Sequence, residues 1–415
     1  MKHKLFGILA IIFLIIQTFP PINRFLPVGD AFKLAGFMGA TLLLFPNLFF
    51  RPTIVALTVY TLETLVYFFM GNAYFDSINS VVVPFLQMAT ALMMTEYIFT
   101  YDRDYKFTRI ALLVAIVSTV LISIISIPVL SIYPEIIRLA YSYHTNTEAE
   151  VLAISSFVIS WGAINGIAYL VAPMAFICKK TFKKNTKTFW FWVLTLLILL
   201  FIVLRSNVAT PLVISLGMLV IGLFFSYERF TRANVTRIFI TGIVGAALLY
   251  FTVIPMLDFA LTHIDYGSTY QRIGEIKEKL TTGESTGDLE GREERFDISW
   301  NLFVESPIIG TQTPEKISRH TYFVDRLACH GIVLFLPLVF VFVYFFKNVY
   351  KRLIHSKVVF TYGFVSIIFM LFYKNEALGV YGLFLLPCIC RYIDYIIEAN
   401  NTDVKKEVYR IKAYK

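Results

Sequence analysis

The chain has 415 residues, 57% of them hydrophobic and 16% charged, where an ordinary soluble domain carries about 45–50% apolar and 25% charged residues. Its mean hydropathy is +0.69, and its 40 phenylalanines are more apolar bulk than a water-soluble globule of this size can hide. This composition excludes soluble enzymes, disordered chains and fibrous repeats, and leaves a polytopic α-helical membrane protein. The formal charge of +9 reads as a topology signal rather than nucleic-acid affinity, because Lys and Arg collect on the cytoplasmic side of membrane proteins.

Apolar runs near the length of a membrane span lie at 5–20, 31–47, 53–70, 79–99, 110–130, 151–177, 188–204, 208–226, 238–256, 331–346, 358–373 and 377–397, which predicts about twelve transmembrane helices. The first run ends in Phe19-Pro20-Pro21 and not in a small-residue cleavage site, so it reads as a helix and not a signal peptide. With Lys2 and Lys4 inside, the alternate inner loops hold Arg103/Lys106/Arg109, Lys179 to Lys187, Arg229/Arg232/Arg237 and Lys347 to Lys357, while the short outer loops hold only Arg24, Lys33, Arg138, Arg205 and Lys374. That asymmetry predicts both termini in the cytoplasm.

The expected organisation is nine spans over 1–256, a large outer loop over 257–330, three spans over 331–397 and a cytoplasmic tail over 398–415. The loop carries eight Lys/Arg and thirteen Asp/Glu, a net charge of −5, so any anion it binds must be held by particular arginines. Thr281 to Asp288 reads as a connector. From Gly291 to about Val304 the pattern is helical, with Arg292, Phe296, Ser299 and Phe303 on one stripe. Ser306-Pro307 ends that helix, and a second short helix is expected from Thr321 toward Gly331.

Several residues can carry chemistry. Arg205, at the outer end of the seventh span, reads either as an interfacial anchor or as a phosphate-binding fork. Arg292, sharing a face with two phenylalanines, points toward the membrane domain, whereas Arg295 reads equally well as a solvated helix charge. Arg272, in Tyr270-Gln271-Arg272, is a weaker substrate-binding candidate. His320 suits proton transfer to or from a hydroxyl, with His330 as a nearby competitor. Arg319 and Tyr322 flank His320 as substrate-binding candidates. His144 and His263 have no identifiable partner. Glu63, mid-span, is a functional candidate by default and equally a protonated packing residue. Glu96 reads as snorkelling at the inner end of its span, and the outer turn Lys374-Asn375-Glu376 as lining a cavity mouth. The four cysteines form neither a CxxC pair nor a Cys/His metal spacing, so neither a disulfide framework nor a zinc site is expected; no cofactor is expected. Walker A, GxSxG and HExxH patterns are missing, and the outer loops contain no Asp-x-Asp.

Taken in order, Arg205, Tyr270-Gln271-Arg272, Gly291-Arg292, Trp300, Pro307-Ile308-Ile309-Gly310, His320-Thr321 and Gly331 resemble the signature of the O-antigen polymerase and O-antigen ligase superfamily. The resemblance is specific across 200–340. Thr321 stands where Asn or Ser is commoner, which leaves polymerase and ligase both open. The resemblance implies an all-α, GT-C-like membrane protein in the bacterial inner membrane, with short helices in its large outer loop. It implies metal-independent glycosyl transfer from an undecaprenyl-pyrophosphate-linked oligosaccharide. Arg205, Arg292 and Arg272 would stabilise the departing pyrophosphate, and His320 would activate the acceptor hydroxyl. The polymerase elongates O-antigen or capsular polysaccharide on the next lipid-linked repeat unit, with a chain-length regulator as its expected partner. The ligase transfers glycan to lipid A core. A lipid-linked oligosaccharide flippase is the remaining alternative.

Overall fold

The computed structural model describes residues 1–22, 29–71, 74–133, 136–137, 157–182, 185–206, 208–228, 231–263, 268–284, 286–311, 313–374 and 379–413. These form helices α1 (Lys2–Thr18), α2 (Asp30–Leu44), α3 (Pro52–Phe69), α4 (Ile78–Thr100), α5 (Lys106–Ile132), α6 (Trp161–Thr181), α7 (Thr186–Arg205), α8 (Ala209–Phe224), α9 (Arg232–His263), α10 (Ser268–Thr282), α11 (Gly287–Glu305), α12 (Tyr322–Arg352), α13 (Lys357–Tyr373) and α14 (Leu386–Ala413). No strand occurs among the described residues. An all-α chain meets what lipid demands, since each helix pairs its own backbone N–H and C=O groups. Among the described residues, six helices (α3 to α7 and α12) are long and apolar enough to cross a membrane, with shorter apolar helices at Ala31–Leu44, α8 and α13.

Helix α6 is the centre of the molecule. Every residue from Ala163 to Cys178 is buried, and α7, α8, α13 and α14 pack around it. Small residues permit this approach: a Cβ on Gly222 would stand 2.8 Å from the Ala172 carbonyl oxygen and 2.8 Å from the Ala175 Cβ. Hydroxyls inside the apolar helices bond the preceding turn. Thr61 and Thr64 donate to the Leu57 and Tyr60 carbonyls, each at 2.8 Å.

A second packing unit positions the outer loop. Helix α12 lies against α3, α3 against α4, and α11 against α12. At one end of this unit Glu96 is buried, and it does not snorkel. It accepts hydrogen bonds from the Asn348 amide and from Arg352 at 3.1 Å, and Arg51 stands 3.6 Å away. Two arginines and an amide hold it where the sequence alone suggested exposure.

The expected loop is more helical than its sequence reads. Helix α9 runs on to His263, and α10 occupies a polar stretch whose Tyr270, Ile273, Ile276 and Leu280 recur at helical spacing. The connector between α10 and α11 shrinks to residues 283–286, with residue 285 outside the described set. Helix α11 begins before Gly291 and stops at Glu305, immediately ahead of Ser306-Pro307 as the proline requires. The expected short helix after Thr321 is present, and Gly331 breaks it from the long apolar segment that follows.

Candidate functional site

The segment between α11 and α12 folds back on the Gly331 break. Gly310 (φ 84°) and Gly331 (φ 64°) both adopt left-handed backbone. Their surfaces are pressed together: a Cβ on Gly310 would stand 2.2 Å from the Cys329 carbonyl oxygen, and one on Gly331 2.4 Å from that of Ile308. A break in a helix orphans the next N–H groups. Here Ile332 N donates to Pro307 O at 2.8 Å and Val333 N to Ile308 O at 3.3 Å, while Thr311 N takes the Ala328 carbonyl at 2.8 Å. The Pro307–Gly310 turn and Gly331 are thus two halves of one clasp. Tyr67 of α3 adds a hydrogen bond to Ile309 O at 3.0 Å.

Asp325 organises the next segment. It is fully buried, and its carboxylate accepts from Ser299 Oγ (2.7 Å), Ser318 Oγ (3.0 Å), Thr321 N (2.8 Å) and Thr321 Oγ1 (3.1 Å). One charged acceptor thereby ties α11, the 318–321 turn and the start of α12 together. Tyr322 is buried beside it, its N–H donating to Lys374 O at 3.0 Å.

On this frame His320 is exposed and meets Arg295, whose Nη1 lies 2.7 Å from Nε2 of the imidazole. A guanidinium only donates hydrogen bonds, so the facing nitrogen accepts and carries no proton. Arg295 Nε also donates to Gly291 O at 2.6 Å, fixing the fork. Arg295 stands four and seven residues before buried Ser299 and Leu302; the side chain of Arg292, which the sequence favoured, lies outside the described residues. Arg319, in left-handed backbone with φ 60°, pairs with Asp76 at 2.9 Å and lies over Tyr74 at 5.7 Å from the ring centroid. Burial pushes the Tyr74 phenol above its ordinary range.

The neighbouring stripe of α11 carries Phe296 and Trp300 into an apolar groove of about 450 Å³, lined further by Phe323, Phe335, Phe342 and Phe346. The site therefore sets two cationic side chains and an imidazole beside a long apolar trough.

The other expected residues are placed differently. Arg205 is exposed at the end of α7 and donates to Ser131 Oγ of α5 at 2.9 Å, a different pair of helices from those that hold His320. Glu63 lies on α3 between Tyr60 and Tyr67, with a buried Oε2 that has no hydrogen-bond partner among the described residues. Those two tyrosine rings stand 5.6 and 5.5 Å from His330, which is wholly buried. His330 is thus enclosed by aromatic rings and does not compete for the exposed position of His320. Arg272 and Arg292 lie in α10 and α11, but their side chains fall outside the described residues, as does that of His263. His144, Asn375 and Glu376 also lie outside them.

Sequence reasoning passed over Asp325 and Arg326. Asp325 gives only a weak local signal, a carboxylate four residues after Thr321. Arg326 gives a better one, as an arginine inside the otherwise apolar run from Phe323 to Cys329 broken only by Asp325.

The fold and the apolar helices define an all-α, multi-pass membrane protein. No protein-family model matches the chain, and no curated protein matches it in sequence.

Proposed function

We propose that the chain is a metal-independent glycosyltransferase that polymerises oligosaccharide repeat units carried on undecaprenyl pyrophosphate at the outer face of the bacterial inner membrane. The observation that carries this reading is the Arg295–His320 pair on the same helical turns that send Phe296 and Trp300 into the apolar groove. An isoprenoid chain suits the groove, and a pyrophosphate suits the cationic end. As the anomeric carbon–oxygen bond to pyrophosphate breaks, Arg295 and Arg319 offset the charge that develops on the leaving group. The acceptor hydroxyl attacks the anomeric carbon and its proton passes to His320 Nε2, which Arg295 exposes by turning to the phosphate. Tyr322 and Asp325 hold the turn that carries the histidine. Arg205, Arg272 and Arg292 join this reading through the family resemblance alone, and Glu63 through its unpartnered oxygen beneath the site.

In this reading the chain has twelve spans, a GT-C-like arrangement, both termini in the cytoplasm and the loop of 257–330 on the outer side. The test is a gel of surface polysaccharide from a deletion strain complemented with wild type, Arg295→Ala or His320→Ala. A deletion that leaves single repeat units on their normal acceptor, with neither variant restoring the ladder, supports polymerisation by this site. Polymer accumulating on the lipid carrier without reaching lipid A would transfer the same chemistry to a ligase. A ladder unchanged by the deletion sinks both enzymatic readings and leaves a flippase.

A further inference from the structure

Beneath the loop, Arg326 points into a cavity enclosed by α3, α4 and α12. It is 8% exposed, and its Nε and Nη1 have no hydrogen-bond partner among the described residues. A guanidinium keeps its charge at every physiological pH, and burying a charge without acceptors is costly. Asp325, its chain neighbour, spends its carboxylate on Ser299, Ser318 and Thr321. The rings of Phe75, Tyr74 and Tyr322 lie 4.5, 5.0 and 5.5 Å from the guanidinium carbon. They attract the cation but leave those two N–H groups without strong acceptors. The cavity is about 20 Å³ and is lined by Tyr60, Phe75, Ser80 and Arg326 among others. The Tyr60 hydroxyl is also buried and without a partner among the described residues. Ser80 belongs to the first turn of α4, where its hydroxyl is taken up by the Ser77 carbonyl at 2.6 Å; the helix start adds only a partial positive charge. Planar fork, the unpartnered Tyr60 hydroxyl and helix start together match a tetrahedral oxyanion.

We propose that Arg326 is the anchor of a phosphate-binding site distinct from the Arg295–His320 pair, with Tyr60 as its hydroxyl donor. The present cavity has room for about one water, so a phosphate seats as the turn at residues 74–76 moves. That turn carries Phe75 over the arginine and Asp76 onto Arg319. Occupancy at Arg326 is therefore coupled to the ion pair beside His320. The phosphate arrives either as a lipid headgroup or from solution. This site stands apart from the polymerase reading and survives its failure.

The test uses the full chain in phosphatidylcholine nanodiscs, as wild type, Arg326→Gln and Tyr60→Phe. One arm adds dioleoyl phosphatidic acid to the disc; the other adds inorganic pyrophosphate to the solution. The readouts are the unfolding midpoint and the apparent Kd. The expected result is a raised midpoint in wild type and at least tenfold weaker binding in Arg326→Gln. Should Arg326→Gln not fold, Tyr60→Phe is expected to weaken binding about threefold, one hydrogen bond's worth. A response to phosphatidic acid alone assigns a lipid headgroup, and one to pyrophosphate alone a soluble anion; either supports the site. Neither probe shifting wild type, or equal affinity in the folded Arg326→Gln variant, overturns it. So does unchanged affinity in Tyr60→Phe should Arg326→Gln not fold.

Discussion

Helix α12 buries charge near both of its ends, and the two ends treat it in opposite ways. Toward the C-terminus, Arg352 and Arg51 converge on Glu96, which also takes the Asn348 amide. Toward the N-terminus, Arg326 is buried to a similar degree, with aromatic rings around it and no carboxylate in ion-pair contact among the described residues. A closed charge network holds helices in register and has no further capacity for a ligand. An open one retains unspent hydrogen-bonding capacity. The contrast separates a fixture of the scaffold from a place where something binds, although the sequence shows an arginine at each position.

The largest expected effect tests the closed end. Glu96→Leu leaves Arg51, Arg352 and Asn348 facing an apolar side chain. Removing one member of a buried network costs about 3–5 kcal/mol, and the arginines' side chains are 33% and 28% exposed, which moves the expectation to about 3 kcal/mol. Reversible unfolding in detergent micelles measures it. A loss below about 1 kcal/mol would mean that the Glu96 cluster behaves as a surface ion pair and that the comparison fails.

A somewhat smaller effect tests the clasp that lies between the open site and His320. Gly331→Ala places a Cβ against the Ile308 carbonyl and forces alanine into left-handed backbone, a strain of about 2 kcal/mol. The expected outcome is a lower unfolding midpoint together with faster proteolysis across 306–311. Gly217, which has no atom within 4 Å of a built Cβ, provides the control: Gly217→Ala in mid-helix is expected to leave stability unchanged or raise it by about 0.5 kcal/mol.

Much of this arrangement is legible in sequence, and the illegible part has a common cause. Hydropathy marks the apolar helices, Pro307 marks the end of α11, and the residues from Thr321 to Gly331 read as a short helix with a stop. Each of these is a local property. The choice between Arg292 and Arg295 is not local. Both sit on plausible stripes; the contact of Arg295 with His320 depends on how α11 packs through Ser299 and Leu302, which no local pattern announces. Glu96 looked exposed because its partners come from positions 51, 348 and 352. Helix α10 is too polar for a hydropathy search, although Tyr270, Ile273, Ile276 and Leu280 carry a helical period that was within reach. Arg326 was within reach, since the reasoning that singles out Arg205 as an arginine among apolar neighbours applies to it equally. In the structure Arg205 is exposed and bonded to Ser131, and Arg326 is the buried one.

The smallest expected change in stability sharpens the comparison most. The Arg319–Asp76 pair is exposed, with side chains 38% and 79% accessible, and a surface pair of this kind contributes about 0–1 kcal/mol. Asp76→Asn should therefore leave the unfolding midpoint nearly unchanged. Yet Asp76 holds the turn that covers Arg326 to the residue preceding His320. Releasing it frees Arg319 and loosens Phe75 over the cavity. If the pair is only surface decoration, Asp76→Asn complements a deletion strain to a normal polysaccharide ladder. If the turn couples the Arg326 cavity to the Arg295–His320 pair, the ladder changes in length or intensity while stability does not. That dissociation separates coupling from folding, because a structural defect large enough to alter the ladder would also have lowered the midpoint.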